Sequence, residues 1–134
     1  MPSEFFYVTP YDPKTWKDPS KTIDPEEQIS LQIDFRDFVN HLRRKWANVD
    51  ISPFLGWSAE IKKDKTVYGG FLGPKNQIMR LDPYENFSEV VIWYRSYIPS
   101  EYPLFLFQQG SWDSLQIDAD TTVQEVERFA GFLG

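Results

Sequence analysis

The chain has no cysteine and a single histidine, His41, among its 134 residues. The first absence excludes disulfide bonds, thiolate nucleophiles and cysteine-ligated zinc or iron–sulfur centres, and it fits a reducing compartment. With one imidazole, a serine nucleophile would have to rely on His41, and neither a G-x-S-x-G elbow nor an S-x-x-K pair is present. Phosphate-cradling loops are missing as well. Gly69-Gly70-Phe71-Leu72-Gly73-Pro74 is glycine-rich but lacks the Lys-Ser/Thr of a P-loop, and its proline would interrupt the helix that should follow. No window approaches the roughly 18 apolar residues of a membrane span. The start, MPSEFFYVTPYDP, has no basic n-region and no apolar h-region. The expectation is a soluble, cytoplasmic protein with no membrane partner and no cofactor.

Basic residues are scarce in the C-terminal part. Residues 1–80 carry 12 Lys+Arg against 11 Asp+Glu, whereas residues 81–134 carry only Arg95 and Arg128 against nine acids. The net charge of −6 therefore belongs to the C-terminal part. Nucleic acid is a poor partner for such a surface, because binding it depends on neutralising phosphates with clustered cations. Only Arg43-Arg44-Lys45 and Lys62-Lys63-Asp64-Lys65 are locally basic, and charge runs this short usually form solvated faces. What is abundant is aromatic surface, with 23 Phe, Tyr and Trp residues. Most fall at positions whose periodicity assigns them to a core, and an exposed aromatic groove for a partner is the sharper alternative.

The length fits one compact domain, residues 1–134, able to bury a core without metal or disulfide staples. Phe5 to Val8 reads as a strand, and residues 10–25, with four prolines, as a long surface loop pinned by Tyr11 and Trp16. Asp24-Pro25-Glu26-Glu27 resembles a helix start. However, Ile29, Leu31 and Ile33 alternate, which predicts a strand over residues 28–33. From Asp34, as N-cap, the period becomes helical through Phe35, Phe38, Val39, Leu42 and Trp46. Trp57, Ala59 and Ile61 alternate, a link follows at Lys62 to Lys65, and Val67-Tyr68 lead into glycines that mark a bulge or a close backbone approach. Gln77 to Leu81 extends this hairpin into a meander.

Asp82-Pro83-Tyr84-Glu85 repeats the helix-start pattern, and residues 87–98 carry a helical stripe on a segment apolar nearly all round. Its β-branched and aromatic content leaves a strand as the alternative. Leu104 to Phe107 and Ser114 to Ile117 read as paired strands, and Thr122 to Glu125 is a capping box opening a final helix with Val123, Val126, Phe129 and Leu133 on its stripe. The sum is an α+β domain: a largely antiparallel sheet of about six short strands with three helices. The pentapeptide SLQID occurs at Ser30 to Asp34 and at Ser114 to Asp118. Both copies are expected to be strand-to-helix junctions, and not halves of a duplicated active site.

Few residues carry chemistry. Asp34, Asp37 and His41 form a row on one helix face, which reads as an ordinary i, i+4 charge pair with no metal site, since a specific site needs three or four ligands. Glu60, on the outer side of its strand, and Glu101, in the Pro99 to Pro103 turn, are the acids with least local explanation. Arg95 interrupts the apolar run of residues 90–98 and should find a carboxylate such as Glu89, Glu101 or Asp113, or stack on a ring. Together with Trp57 and Trp93, these residues are the expected ligand or partner contacts. The leading expectation is a non-enzymatic binding or regulatory protein, of inhibitor or immunity type, presenting an acidic, aromatic-containing surface to a basic protein partner. The rival is a small enzyme or ligand-binding protein with a pocket between sheet and helices, using Arg95, Glu60 or Trp57.

Overall fold

Local signals set most of the elements in the computed structural model, which describes residues 5–12, 29–73, 75–83, 87–111 and 113–131. Asp34 caps the first helix, α1 (Phe35–Lys45), by accepting a 3.1 Å hydrogen bond from the Asp37 amide. Apolar residues three and four apart then place Phe38, Val39 and Leu42 on its buried face. The predicted capping box is formed at Thr122 and Glu125, opening α3 (Val123–Ala130), which ends on Gly131 in the left-handed conformation. Between them lies α2 (Phe87–Tyr97), so the ambiguous apolar segment is helical. Its predicted start at Tyr84 and Glu85, the helix start at Asp24, the proline-rich stretch beyond Asp12 and Leu133 all lie outside the described residues.

The helices pack on one seven-stranded sheet of order β2-β3-β4-β5-β1-β6-β7. The strands are β1 (Phe6–Thr9), β2 (Val49–Ser52), β3 (Gly56–Lys62), β4 (Lys65–Leu72), β5 (Ile78–Leu81), β6 (Phe105–Gln108) and β7 (Ser114–Gln116). Every neighbouring pair is antiparallel. The α+β reading is thus correct. The β2–β5 meander is continuous in sequence, whereas β1 is inserted between β5 and β6, which α2 connects by crossing over it. Alternation sends Phe6, Val8, Trp57, Ala59, Val67, Phe71, Met79, Leu81 and Leu106 to the helix-covered face, where they join the buried residues of all three helices in one core. Phe6, for instance, stacks on Phe87 of α2 at 4.9 Å. No helix among the described residues is long and apolar enough to cross a membrane.

Two points of the expected fold need correcting, and a third narrows to one of its two alternatives. Residues 29–33 alternate as predicted, with Leu31 and Ile33 only 6% and 4% exposed, but they pair with no strand. Side chains of the loop before β5 replace the missing neighbour. Gln77 Nε2 donates to the carbonyls of Ile29 (3.0 Å) and Leu31 (2.6 Å), and Asn76 Nδ2 donates to that of Ile33 (3.1 Å). The Ile33 amide in turn donates to the Lys75 carbonyl at 3.0 Å. The first SLQID is therefore an extended segment running into a helix cap, and only the second belongs to a strand.

Second, β2 was not foreseen; it is four residues long and buries only Val49, which leaves little periodicity to read. Third, the register irregularity lies at Glu60 to Lys62 and not at the glycines. Gly69 serves as the close approach. A Cβ there would lie 2.7 Å from Trp57 Cε2 and 2.8 Å from the Arg80 carbonyl oxygen.

Candidate functional site

Helix α2 has more apolar surface than its buried face can use. Phe87, Val90, Val91 and Tyr94 enter the core, which leaves Ile92, Trp93 and Tyr97 half-buried along the groove between α1 and α2. Trp93 and Tyr97, four residues apart, stack with ring centroids 5.5 Å apart and planes 18° apart. Trp46, which ends α1, meets Trp93 edge-on at 6.0 Å, and His41 meets Tyr97 edge-on at 5.2 Å. Phe38 lies beneath, with its ring 5.6 Å from Trp93 and 5.7 Å from Tyr97. The result is a row of rings, His41, Tyr97, Trp93 and Trp46, anchored on the core and open on one side.

Three neighbouring hollows that share lining residues follow this row. The first, about 490 Å³, lies between Trp46, Trp93, Ile92, Lys45, Glu89 and Val123. The second, about 310 Å³, adds His41 and Arg44. The third, about 380 Å³, continues past Tyr97 to Asp37, Ile33 and Pro99. Ser96 is common to all three.

Polar contacts fix the rings. Tyr97 Oη donates to Asp37 Oδ2 at 2.7 Å, and His41 Nδ1 donates to the Asp37 carbonyl at 2.9 Å, with Asp37 Oδ1 3.5 Å away. Burial, then the bond to Asp37, pushes the Tyr97 phenol well above the ordinary tyrosine range. Tyr97 is thus a neutral donor throughout the physiological range. Lys45 Nζ lies 5.7 Å from the Trp46 ring centre, and Lys62 Nζ lies 3.6 Å from Glu89 Oε1 at the same end of the groove.

Of the predicted contacts, Trp93 alone is at this site. Trp57 is 1% exposed, packed against Phe38 at 5.5 Å, and its Nε1 meets no acceptor among the described residues, so it is a core side chain. Glu60 accepts a 3.1 Å bond from Asn48 Nδ2. Glu101 is exposed in the turn after α2.

Arg95 donates to no carboxylate among the described residues. Its guanidinium donates to the carbonyls of Tyr102 (2.8 Å), Pro99 (2.9 Å) and Ile98 (3.1 Å). The Ile98 and Pro99 carbonyls lie at and just beyond the helix end, where intrahelical donors run out; Pro99 also accepts from the Tyr102 amide at 3.1 Å, and the fork of guanidinium donors reaches all three carbonyls at once. Burial lowers the Arg95 pKa, with Asp118 opposing that shift. Arg95 lines none of the three hollows.

The Asp34, Asp37, His41 row forms no metal cluster, and no group of three or more His, Cys, Asp or Glu poised for a metal occurs among the described residues. Sequence reasoning passed over Trp46, Tyr97, Lys45 and His41 as site residues. Their signal was present in the spacing of Trp93 and Tyr97 and in a tryptophan at a helix end, but it resembled a core stripe. No family model, curated protein or solved structure matches the chain.

Proposed function

We propose that this protein is a non-enzymatic binding or regulatory protein, of inhibitor or immunity type, that engages a partner protein through the α1–α2 groove. The observation that carries this reading is the row His41, Tyr97, Trp93 and Trp46, half-exposed yet held by stacking and by the Tyr97–Asp37 bond. Aromatic side chains already fixed in the free protein lose little conformational freedom on binding, which is why rigid Trp and Tyr recur as interface anchors. The hollows of the groove are open to one side, a shape suited to side chains of a partner rather than to an enclosed small molecule. The rival reading, a ligand pocket built on Arg95, is weakened because its guanidinium is engaged by three carbonyls.

The test is affinity capture from an extract of the source cells with immobilised wild-type protein and with Trp93→Ala, both first shown to unfold cooperatively. A protein retained by the wild type and lost with Trp93→Ala supports the reading. Equal retention by both, or none by either, overturns it.

A further inference from the structure

The two locally basic runs of the chain, Arg43-Arg44-Lys45 and Lys62-Lys63-Asp64-Lys65, meet at one end of the groove. Lys45 and Glu89 line the same hollow beside Trp46 and Trp93, and Glu89 is the residue that Lys62 reaches. Arg44 and Lys45 thus line the hollows beside these rings, and Lys62 is brought to the same end through Glu89, in a chain of net charge −6. Arg43 is spent on the Val49 carbonyl at 3.4 Å. Arg44, Lys45, Lys62, Lys63 and Lys65 are exposed, Lys62 with 61% of its side chain accessible. The last turn of a helix favours cations through its dipole, which accounts for part of the α1 run but not for the hairpin turn brought up beside it.

We infer that the groove takes an acidic segment of the partner protein, in which Asp and Glu flank an aromatic or aliphatic anchor. This rests on the proposed use of the groove and reverses the expected charge of the partner. The anchor side chain fills the hollow between Trp46, Trp93 and Ile92, while the flanking carboxylates meet Arg44, Lys45 and Lys62. Acids are few along the groove: within the described residues, only Glu89 and Asp37 line the three hollows. A single-stranded nucleic acid would need open ring faces and a track of cations. Here Trp93 is covered on one face by Tyr97 and met at its edge by Trp46, and the cations converge at one end.

The test is fluorescence anisotropy with three labelled probes: a pool of short peptides with Phe, Leu or Trp flanked by Asp and Glu, the same pool with Lys in place of the acids, and single-stranded oligothymidylate. The acidic pool should bind at least about tenfold tighter than the lysine pool. Its affinity should fall with salt, and by about fivefold again in Arg44→Gln/Lys45→Gln, which removes both charges without placing acids in the last turn of α1 and is first shown to unfold cooperatively. Equal or tighter binding of the lysine pool or of the oligothymidylate overturns the inference, as does no binding of the acidic pool. Should the lysine pool bind and Trp93→Ala abolish that binding, the groove remains the binding site and only its charge preference is refuted.

Discussion

Tyr97 Oη donates a 2.7 Å hydrogen bond to Asp37 Oδ2, which ties the last turn of α2 to the first turn of α1 across sixty residues of sequence. Burial and this bond keep the phenol neutral well above the ordinary tyrosine value of 10.0. A raised folded-state value means that the neutral form favours the fold. The contribution is complete below about pH 10 and declines as pH rises beyond it. Urea unfolding at increasing alkaline pH should therefore show falling stability, with a shallower fall in Tyr97→Phe. The buried Tyr94, whose phenol burial raises in the same way, maintains part of the slope in that variant. At neutral pH the variant should lose about 0.5–1.5 kcal/mol, toward the low end because the bond is exposed. Identical alkaline slopes in the two proteins would refute this account.

Gln77 acts as a substitute strand. Its side chain, in a residue 2% exposed, donates to the carbonyls of both Ile29 and Leu31. Gln77→Ala should leave the Leu31 carbonyl without its side-chain donor, while the Ile29 carbonyl keeps Lys75 Nζ at 2.9 Å, and cost about 1–3 kcal/mol. Hydrogen exchange should localise the effect, with the Ile33 amide, bonded to the Lys75 carbonyl, exchanging faster in the variant. Unchanged stability and protection would show that the segment is held by burial of Leu31 and Ile33 alone.

The turn between β2 and β3 runs against its own residues. The Gly56 amide donates to the Pro53 carbonyl at 3.3 Å, and the two central residues, Phe54 and Leu55, have φ of 61° and 57°. Turns of this hand favour Asn and Gly, because bulky side chains fit the left-handed region poorly. Phe54 is 96% exposed, so nothing buried is lost by replacing it. Phe54→Asn should stabilise the protein by about 0.5–1 kcal/mol, read as a higher midpoint in thermal or urea unfolding. A lower midpoint would mean that the ring makes contacts contributing to stability.

Much of the fold was legible because its signals are local. Asp34 as N-cap, the Thr122 and Glu125 capping box, and the alternation of Trp57 and Ala59 each depend on residues within a few positions of one another. What failed depended on distant partners. The alternation at Ile29, Leu31 and Ile33 reports an extended, half-buried backbone correctly, but it cannot say whether strand or side chains meet its carbonyls. Among the described residues, Arg95 meets neither the carboxylate nor the ring expected of it; its partners are main-chain carbonyls at the end of its own helix and in the following turn, groups that carry no residue-type signal. The groove was the least legible feature. Trp93 and Tyr97 look like core residues until α1 packs beside them and leaves one side of the row open.

The central place of β1 bears on how the molecule is made. Phe6 to Val8 pair on one side with residues 79–81 and on the other with residues 106–108, all synthesised much later. The meander from β2 to β5 can form from contiguous sequence and add β1, the strand laid down first, but the far edge of β1 has to wait for β6. A nascent chain halted before residue 105 would thus keep one edge of β1 unpaired, open to association with other chains. Completion of the sheet is accordingly a late event, reached only when the segment carrying β6 has cleared the ribosome, and the long sequence separation of these pairings favours slow folding.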